Sequence, residues 1–440
     1  MYSLYSVLLF GVLILSTPWW LLQMLRHGKY RTGWSERLGT VPDRLFHDVS
    51  PNTIWIHAVS VGEVLASSQV IEQLKGQLPG WRIVVSTTTD TGQKLARQRF
   101  GENNVFYFPL DLPFAVRAYL QALRPKLLVL AESEFWPNLL RWAKLSGAAV
   151  AVVNARVSDR SLPGYLRFHG LLVRVMKNVD LFLAQSDEDA RRLIQIGALA
   201  ERVHVSGNLK FEAKPPAEPA IVSSFAAALQ REEVGPVLVA GSTLEGEEPM
   251  LLETFRQVVS RYPGALVVFA PRHPERFDVV ASLLASSGLR SQRRSQWDGT
   301  KPIAGGVFLL DTIGELASLY QFADLAFIGG SLVPRGGHNV LEAAQFGAAI
   351  LVGPYTENFR DIVEVFRQAD ALRVVTPQSL TTAVLQLLEN HDERAALGRR
   401  AFEVVNSQRG ATERTVSALL SLLLEHASAA TARVSSEKRA

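Results

Sequence analysis

Short apolar runs separated by helical segments are the feature that most constrains the fold of this 440-residue chain. Ten such runs occur, at 54–59, 83–87, 127–131, 149–153, 181–184, 237–242, 265–270, 307–310, 325–328 and 349–352. Runs that are apolar throughout are typical of parallel strands covered on both faces. Their alternation with helical segments predicts an α/β fold built on parallel sheets.

A proline-rich segment divides the pattern into two halves of similar size. Residues 213–219 contain three prolines and predict a stiff linker, after which the strand and helix pattern starts again. We therefore expect two Rossmann-like domains, over residues 33–212 and 220–425. Residues 426–440 are small and polar and predict a disordered tail.

The N-terminal segment is apolar and uncharged from residue 4 to residue 25. That length is enough to cross a hydrocarbon core of ~30 Å, so residues 1–25 predict a single-pass membrane anchor. Four cationic residues follow by position 37 and none precedes the run, which places the remaining chain on the cytoplasmic side. A buried or interfacial helix is the alternative, because Pro18 interrupts the segment.

Composition narrows the class of partner. The 46 basic and 42 acidic residues leave a net charge of only +4, which suits an anionic membrane face or substrate better than a nucleic acid. Basic and aromatic residues do not interleave as they do in single-strand binders. The absence of cysteine excludes disulfides and thiolate metal sites, and no other metal-ligand spacing occurs, so we expect neither metal nor cofactor.

A glycine-rich run at 329–337 follows the apolar run at 325–328 and leads into a helix predicted to begin at about Asn339. Glycine lets a backbone approach a ligand closely, and a helix start offers free N–H groups to a phosphate. Glu342 is then placed to accept hydrogen bonds from ribose hydroxyls. The alternative is a tight strand-to-helix turn without a ligand.

Acidic residues follow two strands of the first half. Glu63 begins a helix after the first strand, either as a general base at a cleft or as a partner of the helix dipole. Glu132 and Glu134 directly follow a buried strand, where carboxylates are costly unless they pair or face a site. We expect one of the two to be functional and the other to cap a helix starting near Pro137. Lys210 precedes the linker, either to meet an anion or as an ordinary surface lysine.

Polar residues follow strands of the second half in the same way. Arg272 comes after a buried run, where a guanidinium can grip a phosphate with two hydrogen bonds. Residues 311–316 predict a helix start with Asp311 or Thr312 as its cap, whose free N–H groups suit a base or ribose.

Seven motifs in this order resemble the 3-deoxy-D-manno-octulosonic acid (Kdo) transferase family of lipopolysaccharide synthesis. They occupy residues 33–39, 57–63, 132–138, 154–156, 207–211, 271–276 and 336–339, within a resemblance that spans about residues 1–420. The resemblance implies the two-domain B-type glycosyltransferase fold, an N-terminal anchor in the inner membrane, CMP-Kdo as donor and the lipid A precursor lipid IVA as acceptor. It assigns the acceptor to the first domain and the donor to the second.

The resemblance also implies roles for single residues. Glu63 would be the general base of an inverting, metal-independent transfer, and Glu132 and Lys210 would support the transition state. The residues implied to hold CMP are Pro271, Arg272, Ile313, Gly314, Glu315, Asn339, Val340, Leu341 and Glu342. Val340 stands where the family has proline, a change expected to weaken the helical turn slightly.

Two other functions remain open at this point. One is a different membrane-bound glycosyltransferase of this fold that uses a UDP- or GDP-sugar, and the other is a membrane-anchored sugar- or nucleotide-binding protein without activity. The sequence leaves undetermined the number of Kdo residues transferred, the acyl-chain preference, the oligomeric state and whether the N-terminal helix spans the bilayer.

Overall fold

The computed structural model describes residues 2–27, 33–46, 50–159, 161–211, 219 and 221–437. The chain forms two compact units, one made of residues 1–212 with 409–440 and the other of residues 213–408. The predicted linker at 213–219 lies outside the described residues, apart from residue 219.

The first unit is a parallel seven-stranded sheet flanked by helices. Its strands are β1 (Thr53–His57), β2 (Arg82–Thr87), β3 (Val105–Tyr107), β4 (Leu127–Ala131), β5 (Ala149–Ala155), β6 (Leu181–Ala184) and β7 (Val203–Val205). Its helices before the linker are α1 (Tyr2–His27), α2 (Trp34–Arg37), α3 (Val61–Gln77), α4 (Asp90–Phe100), α5 (Pro113–Leu123), α6 (Pro137–Leu145), α7 (Leu162–Arg167), α8 (His169–Met176) and α9 (Asp187–Gln195). The order β3-β2-β1-β4-β5-β6-β7 reverses direction between β1 and β4. In such sheets ligands bind beyond the carboxyl ends of the strands at this reversal.

The second unit repeats the plan with the order β10-β11-β9-β8-β12-β13-β14. Its strands are β8 (Val237–Thr243), β9 (Leu266–Pro271), β10 (Ser291–Arg293), β11 (Gly306–Leu309), β12 (Leu325–Ile328), β13 (Ala349–Val352) and β14 (Arg373–Val374). Its helices are α10 (Ile221–Arg231), α11 (Glu248–Arg261), α12 (Phe277–Ser286), α13 (Leu316–Leu319), α14 (Leu341–Ala344), α15 (Arg360–Gln368), α16 (Leu380–Glu389) and α17 (His391–Ser407). Here the order reverses between β8 and β12, which are direct neighbours.

Burial explains why the central strands were readable as apolar runs. Every residue of β1, β4 and β5 is buried. Successive side chains of a strand point to opposite faces. Trp55 therefore joins the core on one side of the sheet, whereas Ile54 and Ile56 join the core on the other. The cores on both faces of the sheet thus need apolar residues, which makes the strand apolar throughout. The prediction of two α/β domains with parallel sheets is confirmed.

The C-terminal helix corrects the predicted domain limits. Helix α18 (Ala411–Glu437) belongs to the first unit, where Val416, Leu419 and Leu423 pack into the core that Ile54 and Ile56 also line. The second domain therefore does not extend to residue 425, and the segment predicted as a disordered tail is helical as far as Glu437. The apolar periodicity of this helix required a hydrophobic partner but did not say which domain supplies it.

The N-terminal segment is helical over Tyr2–His27. Within the described residues, no helix combines the length and apolar character needed to cross a bilayer. The single-pass span predicted over residues 1–25 is therefore not found in the part of the chain that the structure describes.

Candidate active site

Three of the predicted residues meet at the carboxyl ends of β1 and β4. Glu63 lies in the first turn of α3, directly after β1, and Glu132 directly follows β4. The Lys210 ammonium lies 2.6 Å from the Glu132 carboxylate. The charges of Glu132 and Glu134 both act on Glu63. This cluster lies at the reversal point of the first sheet, where a ligand site is expected.

The environment of Glu63 suits a proton acceptor. The side chain is 8% exposed, and burial, followed by the charge of Glu132, raises its pKa to about 7. Val59 N–H donates to the carboxylate at 2.6 Å and the Ser60 hydroxyl at 2.9 Å, and both bonds oppose the rise. A carboxyl group with a pKa near neutrality is partly ionised at pH 7 and can exchange a proton there. Through its hydrogen bonds with Val59 and Ser60, Glu63 also closes the turn before α3.

Backbone geometry fixes Glu132 and Lys210. Glu132 has a φ of 60°, in the left-handed region that costs energy for residues other than glycine. Asn154, at the end of β5, shares this conformation with a φ of 54°. Its buried side chain accepts a hydrogen bond from Leu209 N–H at 3.0 Å, which holds the segment that presents Lys210. Sequence reasoning placed Asn154 in a motif but assigned it no role.

The residue that caps α6 differs from the prediction. The helix begins at Pro137, as predicted, but neither Glu132 nor Glu134 caps it. Asp111 does so, because its carboxylate accepts the N–H groups of Asn138 at 2.9 Å and Leu139 at 2.8 Å. Asp111 follows β3, an edge strand that the sequence did not reveal. Glu134 is thereby left near the cluster, and burial, followed by the Glu132 charge, raises its pKa.

His57 is a core residue, although it belongs to the motif that contains Glu63. It is fully buried, stacks on Phe108 at a ring distance of 3.9 Å, and its Nδ1 lies 3.0 Å from the Ser86 hydroxyl. Burial lowers the pKa of His57 to about 3, so the ring is neutral at physiological pH.

The second domain brings several predicted donor-binding residues together. Arg272 is exposed directly after β9, and its charge acts on His338 and Glu342, which follow β12. Burial, with help from Arg272, lowers the pKa of His338 to about 4. Burial raises the pKa of Glu342, whereas Asn339 and Arg272 oppose that rise. A neutral imidazole, a carboxyl group and an exposed guanidinium thus follow the carboxyl ends of β9 and β12.

Part of the backbone of the glycine-rich run binds a carboxylate of the protein itself. The buried carboxylate of Glu247 accepts the N–H groups of Gly330, Ser331 and Leu332 at 2.7, 2.9 and 2.9 Å. Gly330 has a φ of 69°, and a Cβ there would lie 2.9 Å from the His338 ring. The glycines thus allow the loop to wrap its own carboxylate. Sequence reasoning missed this role of Glu247.

The helix after the glycine-rich run is also shorter than predicted. Helix α14 covers only Leu341–Ala344 and begins two residues later than expected, with Val340 at its N-cap. Asn339 stabilises the start of this helix because its side-chain oxygen accepts Leu341 N–H at 3.1 Å.

The loop after β11 contains an exposed apolar side chain and a glutamate that is paired with an arginine. Ile313 is 70% exposed, and Gly314 has a φ of 92°. Glu315 accepts two hydrogen bonds from Arg294, at 2.9 and 3.1 Å, so its charge is already paired. The cap predicted for Asp311 or Thr312 is wrong, because the short helix α13 begins only at Leu316 and no side chain caps it. The Asp311 carboxylate pairs instead with Arg293 at 2.7 Å.

Comparison with known proteins identifies the family. The family described as "3-Deoxy-D-manno-octulosonic-acid transferase (kdotransferase)" matches residues 32–213. The 3-deoxy-D-manno-octulosonic acid transferase of Haemophilus influenzae is 33% identical over 408 residues, which cover 90% of this chain and 93% of that protein. The chain belongs to the Kdo transferase family. The corresponding transferase of Bordetella pertussis is 36% identical over 377 residues, which cover 83% of this chain and 86% of the relative.

Two solved structures are similar to parts or most of this chain. The C-terminal CMP-Kdo binding domain of WaaA from Acinetobacter baumannii is 31% identical and covers 42% of this chain and 98% of that domain, with a TM-score of 0.39. A UDP-GlcNAc 2-epimerase from Neisseria meningitidis covers 84% of this chain and 100% of its own, with 13% identity and a TM-score of 0.51, a similarity of fold alone.

The Kdo transferase is thus a glycosyltransferase of lipopolysaccharide biosynthesis. Membership of this family favours a Kdo transferase over the two alternatives that the sequence left open, an enzyme that uses a UDP- or GDP-sugar and a binding protein without activity. Among the described residues, no three histidine, cysteine or acidic side chains group as metal ligands do.

Proposed function

We propose that this Kdo transferase moves Kdo from CMP-Kdo to lipid IVA, with inversion at the anomeric carbon and with Glu63 as the general base. The observation that carries the proposal is the buried Glu63 carboxyl group, whose pKa is raised to about 7 beside the Glu132–Lys210 ion pair. A base is most effective when its pKa lies near the working pH.

The proposed step balances as a direct displacement. The acceptor hydroxyl oxygen attacks the anomeric carbon of Kdo while Glu63 takes the hydroxyl proton. The bond from that carbon to the CMP phosphate oxygen breaks, and CMP leaves with the electron pair. Positive charge that develops on the sugar is favoured by Glu132 and Glu134, and Lys210 offsets part of the charge of Glu132.

The donor is assigned to the second domain. Arg272 is the exposed cation after β9 and is proposed to bind the CMP phosphate with its guanidinium. The exposed side chain of Ile313 is proposed to contact the base. Pro271, Gly314, Glu315, Asn339, Val340, Leu341 and Glu342 complete the proposed CMP site. Because Arg272 supplies positive charge at the departing phosphate, the proposed step requires no metal ion.

Mass spectrometry of the lipid product tests this function. Purified full-length protein with CMP-Kdo and lipid IVA is expected to add the mass of one or more Kdo residues, and the number counts the transfers. UDP-sugars serve as the matched control and are expected to give no product. Transfer from a UDP-sugar, or no transfer from CMP-Kdo, would contradict the proposal.

Helix α1 supports a proposed location at the cytoplasmic face of the inner membrane. Tyr2, Tyr5 and Ser6 contact the first domain, whereas Val7, Leu8 and Leu15 are 68%, 61% and 83% exposed. Apolar side chains on the outer face of a docked helix are unfavourable in water and favourable in lipid. We propose that this outward apolar face attaches the enzyme to the membrane that holds its acceptor.

A charge on the outward apolar face is expected to weaken membrane attachment. Leu8→Asp combined with Leu15→Asp should reduce co-sedimentation with lipid vesicles at least roughly tenfold, because a carboxylate is costly in the apolar region. Turnover on detergent-dispersed acceptor should be kept, since these side chains do no chemistry. Leu145→Asp, on the exposed end of α6, is the control. Unchanged vesicle binding in the double variant would contradict the attachment.

A further inference from the structure

The first turns of α1 dock on the domain through polar side chains. Tyr2 lies one helical turn before Tyr5, and its hydroxyl contacts the Arg174 carbonyl at 3.3 Å and the Asn178 amide at 3.0 Å. Ser6 accepts a hydrogen bond from the Asn138 amide at 3.1 Å. Directional hydrogen bonds fix the position of a helix more narrowly than apolar packing does, because they require set distances and angles.

The Tyr5 contact reaches the start of α6 through a single carboxylate. The Tyr5 hydroxyl is hydrogen-bonded to the Asp111 carboxylate, which is almost completely buried. The two oxygens of this carboxylate also accept Asn138 and Leu139 N–H, the first two N–H groups of α6. Asn138 also donates its side-chain amide to the Asp111 carbonyl at 2.5 Å. Asp111 therefore joins α1 to the first turn of α6.

The loop between β4 and α6 carries Glu132 and Glu134. At its front end the Ser133 hydroxyl exchanges hydrogen bonds with the backbone of Arg156, whose N–H donates at 3.0 Å. At its rear end Trp136 packs on Phe108 with ring centres 5.4 Å apart, and α6 follows at once. The left-handed backbone of Glu132 persists only where its surroundings hold it. Because this loop leads directly into α6, a shift at the start of α6 would also displace the loop.

We propose that Tyr5 and Asp111 are positioning residues, through which the docked α1 holds the loop of Glu132 and Glu134 in its working conformation. This inference rests on the function proposed above, because it gives that loop a part in the transfer. It makes α1 necessary for full turnover even when the acceptor is dispersed in detergent and no membrane is present. Such a role is separate from attachment, which uses the opposite face of the same helix.

A matched pair of variants tests the inference in the full-length enzyme. Tyr5→Phe removes the hydroxyl that reaches Asp111, and Tyr2→Phe removes the equivalent hydroxyl one turn earlier, which contacts α8 and its end instead. Tyr5→Phe is expected to lower kcat on dispersed lipid IVA about three- to tenfold, the loss that one hydrogen bond explains. The acceptor KM, the CMP affinity and vesicle binding should not change. Tyr2→Phe should keep the wild-type kcat.

The kcat values of the two tyrosine variants test the inference, and a loss confined to Tyr2→Phe contradicts it. A kcat loss confined to Tyr5→Phe, with a larger loss in Asp111→Asn, supports positioning, and Tyr5→Phe suffices if Asp111→Asn does not fold. Equal kcat values for the two tyrosine variants overturn it, whether both match wild type or both fall together. If the wild-type enzyme transfers no Kdo from CMP-Kdo, the proposed function fails instead, and the two failures are therefore distinguishable.

Discussion

Replacing Glu63 by glutamine is expected to lower turnover by ~10²–10⁴-fold, the usual contribution of a positioned base. Glutamine keeps the size of the side chain and one acceptor oxygen for Val59 N–H or the Ser60 hydroxyl, but it does not take up the proton of the acceptor. CMP affinity should stay unchanged, because the donor is assigned to the other domain. Single-turnover kinetics and calorimetry with CMP separate the two effects.

The pH dependence gives the same residue a second signature. Because the base works ionised, kcat/KM of the wild type should fall as pH drops through about 7. The pKa of Glu63 is raised above its ordinary 4.5, so its contribution to stability is present below about pH 4.5 and is lost as pH rises through about 7. Glu63→Gln does not ionise and is expected to melt at a higher temperature than wild type at pH 8, with the difference shrinking at pH 5.

An exposed glutamate of the same helix provides the control for Glu63→Gln. Glu72→Gln should change neither turnover nor the pH profile, because Glu72 is exposed on the outer side of α3. If Glu63→Gln turned over normally but melted at a lower temperature at pH 8, Glu63 would be a helix-start carboxylate and the base would lie elsewhere.

Removing the Arg272 side chain is expected to weaken CMP and CMP-Kdo binding by about 1.5–3 kcal/mol, or roughly 10- to 100-fold. Arg272 is exposed after β9, where its charge already acts on Glu342 and His338. Arg272→Lys should recover only part of the affinity, because lysine keeps the charge and loses the two-pronged geometry. Calorimetric titration with CMP measures both variants.

Arg256 offers the comparison for the Arg272 variants. It is an exposed arginine of α11 in the same domain, paired with Glu253 at 3.0 Å, and Arg256→Ala should bind CMP like wild type. Wild-type CMP affinity in Arg272→Ala would show that Arg272 is an ordinary surface cation.

The sequence was sufficient to predict the sheets wherever the strands are central. All ten apolar runs correspond to strands of the structure. The four strands that the pattern missed, β3, β7, β10 and β14, are the four sheet edges and have only two or three residues. Strands β7, β10 and β14 are partly exposed, so their sequences need no continuous apolar run. Strand β3 is buried, but its three residues are too few to form a distinct apolar run.

The sequence predicted where the residues of the candidate site lie, but it did not predict which of them pair with one another. Polar residues directly after apolar runs placed Glu63, Glu132 and Arg272 at carboxyl ends of parallel strands, because that position follows from strand order along the chain. The sequence analysis did not predict that Lys210 pairs with Glu132; the structure brings the two charges together.

What the sequence determined by itself is the periodic burial of each segment, and with it the two parallel sheets and the strand ends that bear polar residues. Tertiary structure alone decided that Asp111 caps α6, that Glu247 occupies the glycine-rich loop and that α18 returns to the first domain. The physical reason is that the residue types of a single segment are enough to show which of its positions are buried. A carboxylate or an apolar helix face is satisfied by any suitable partner, and only the folded chain fixes which distant partner lies within reach.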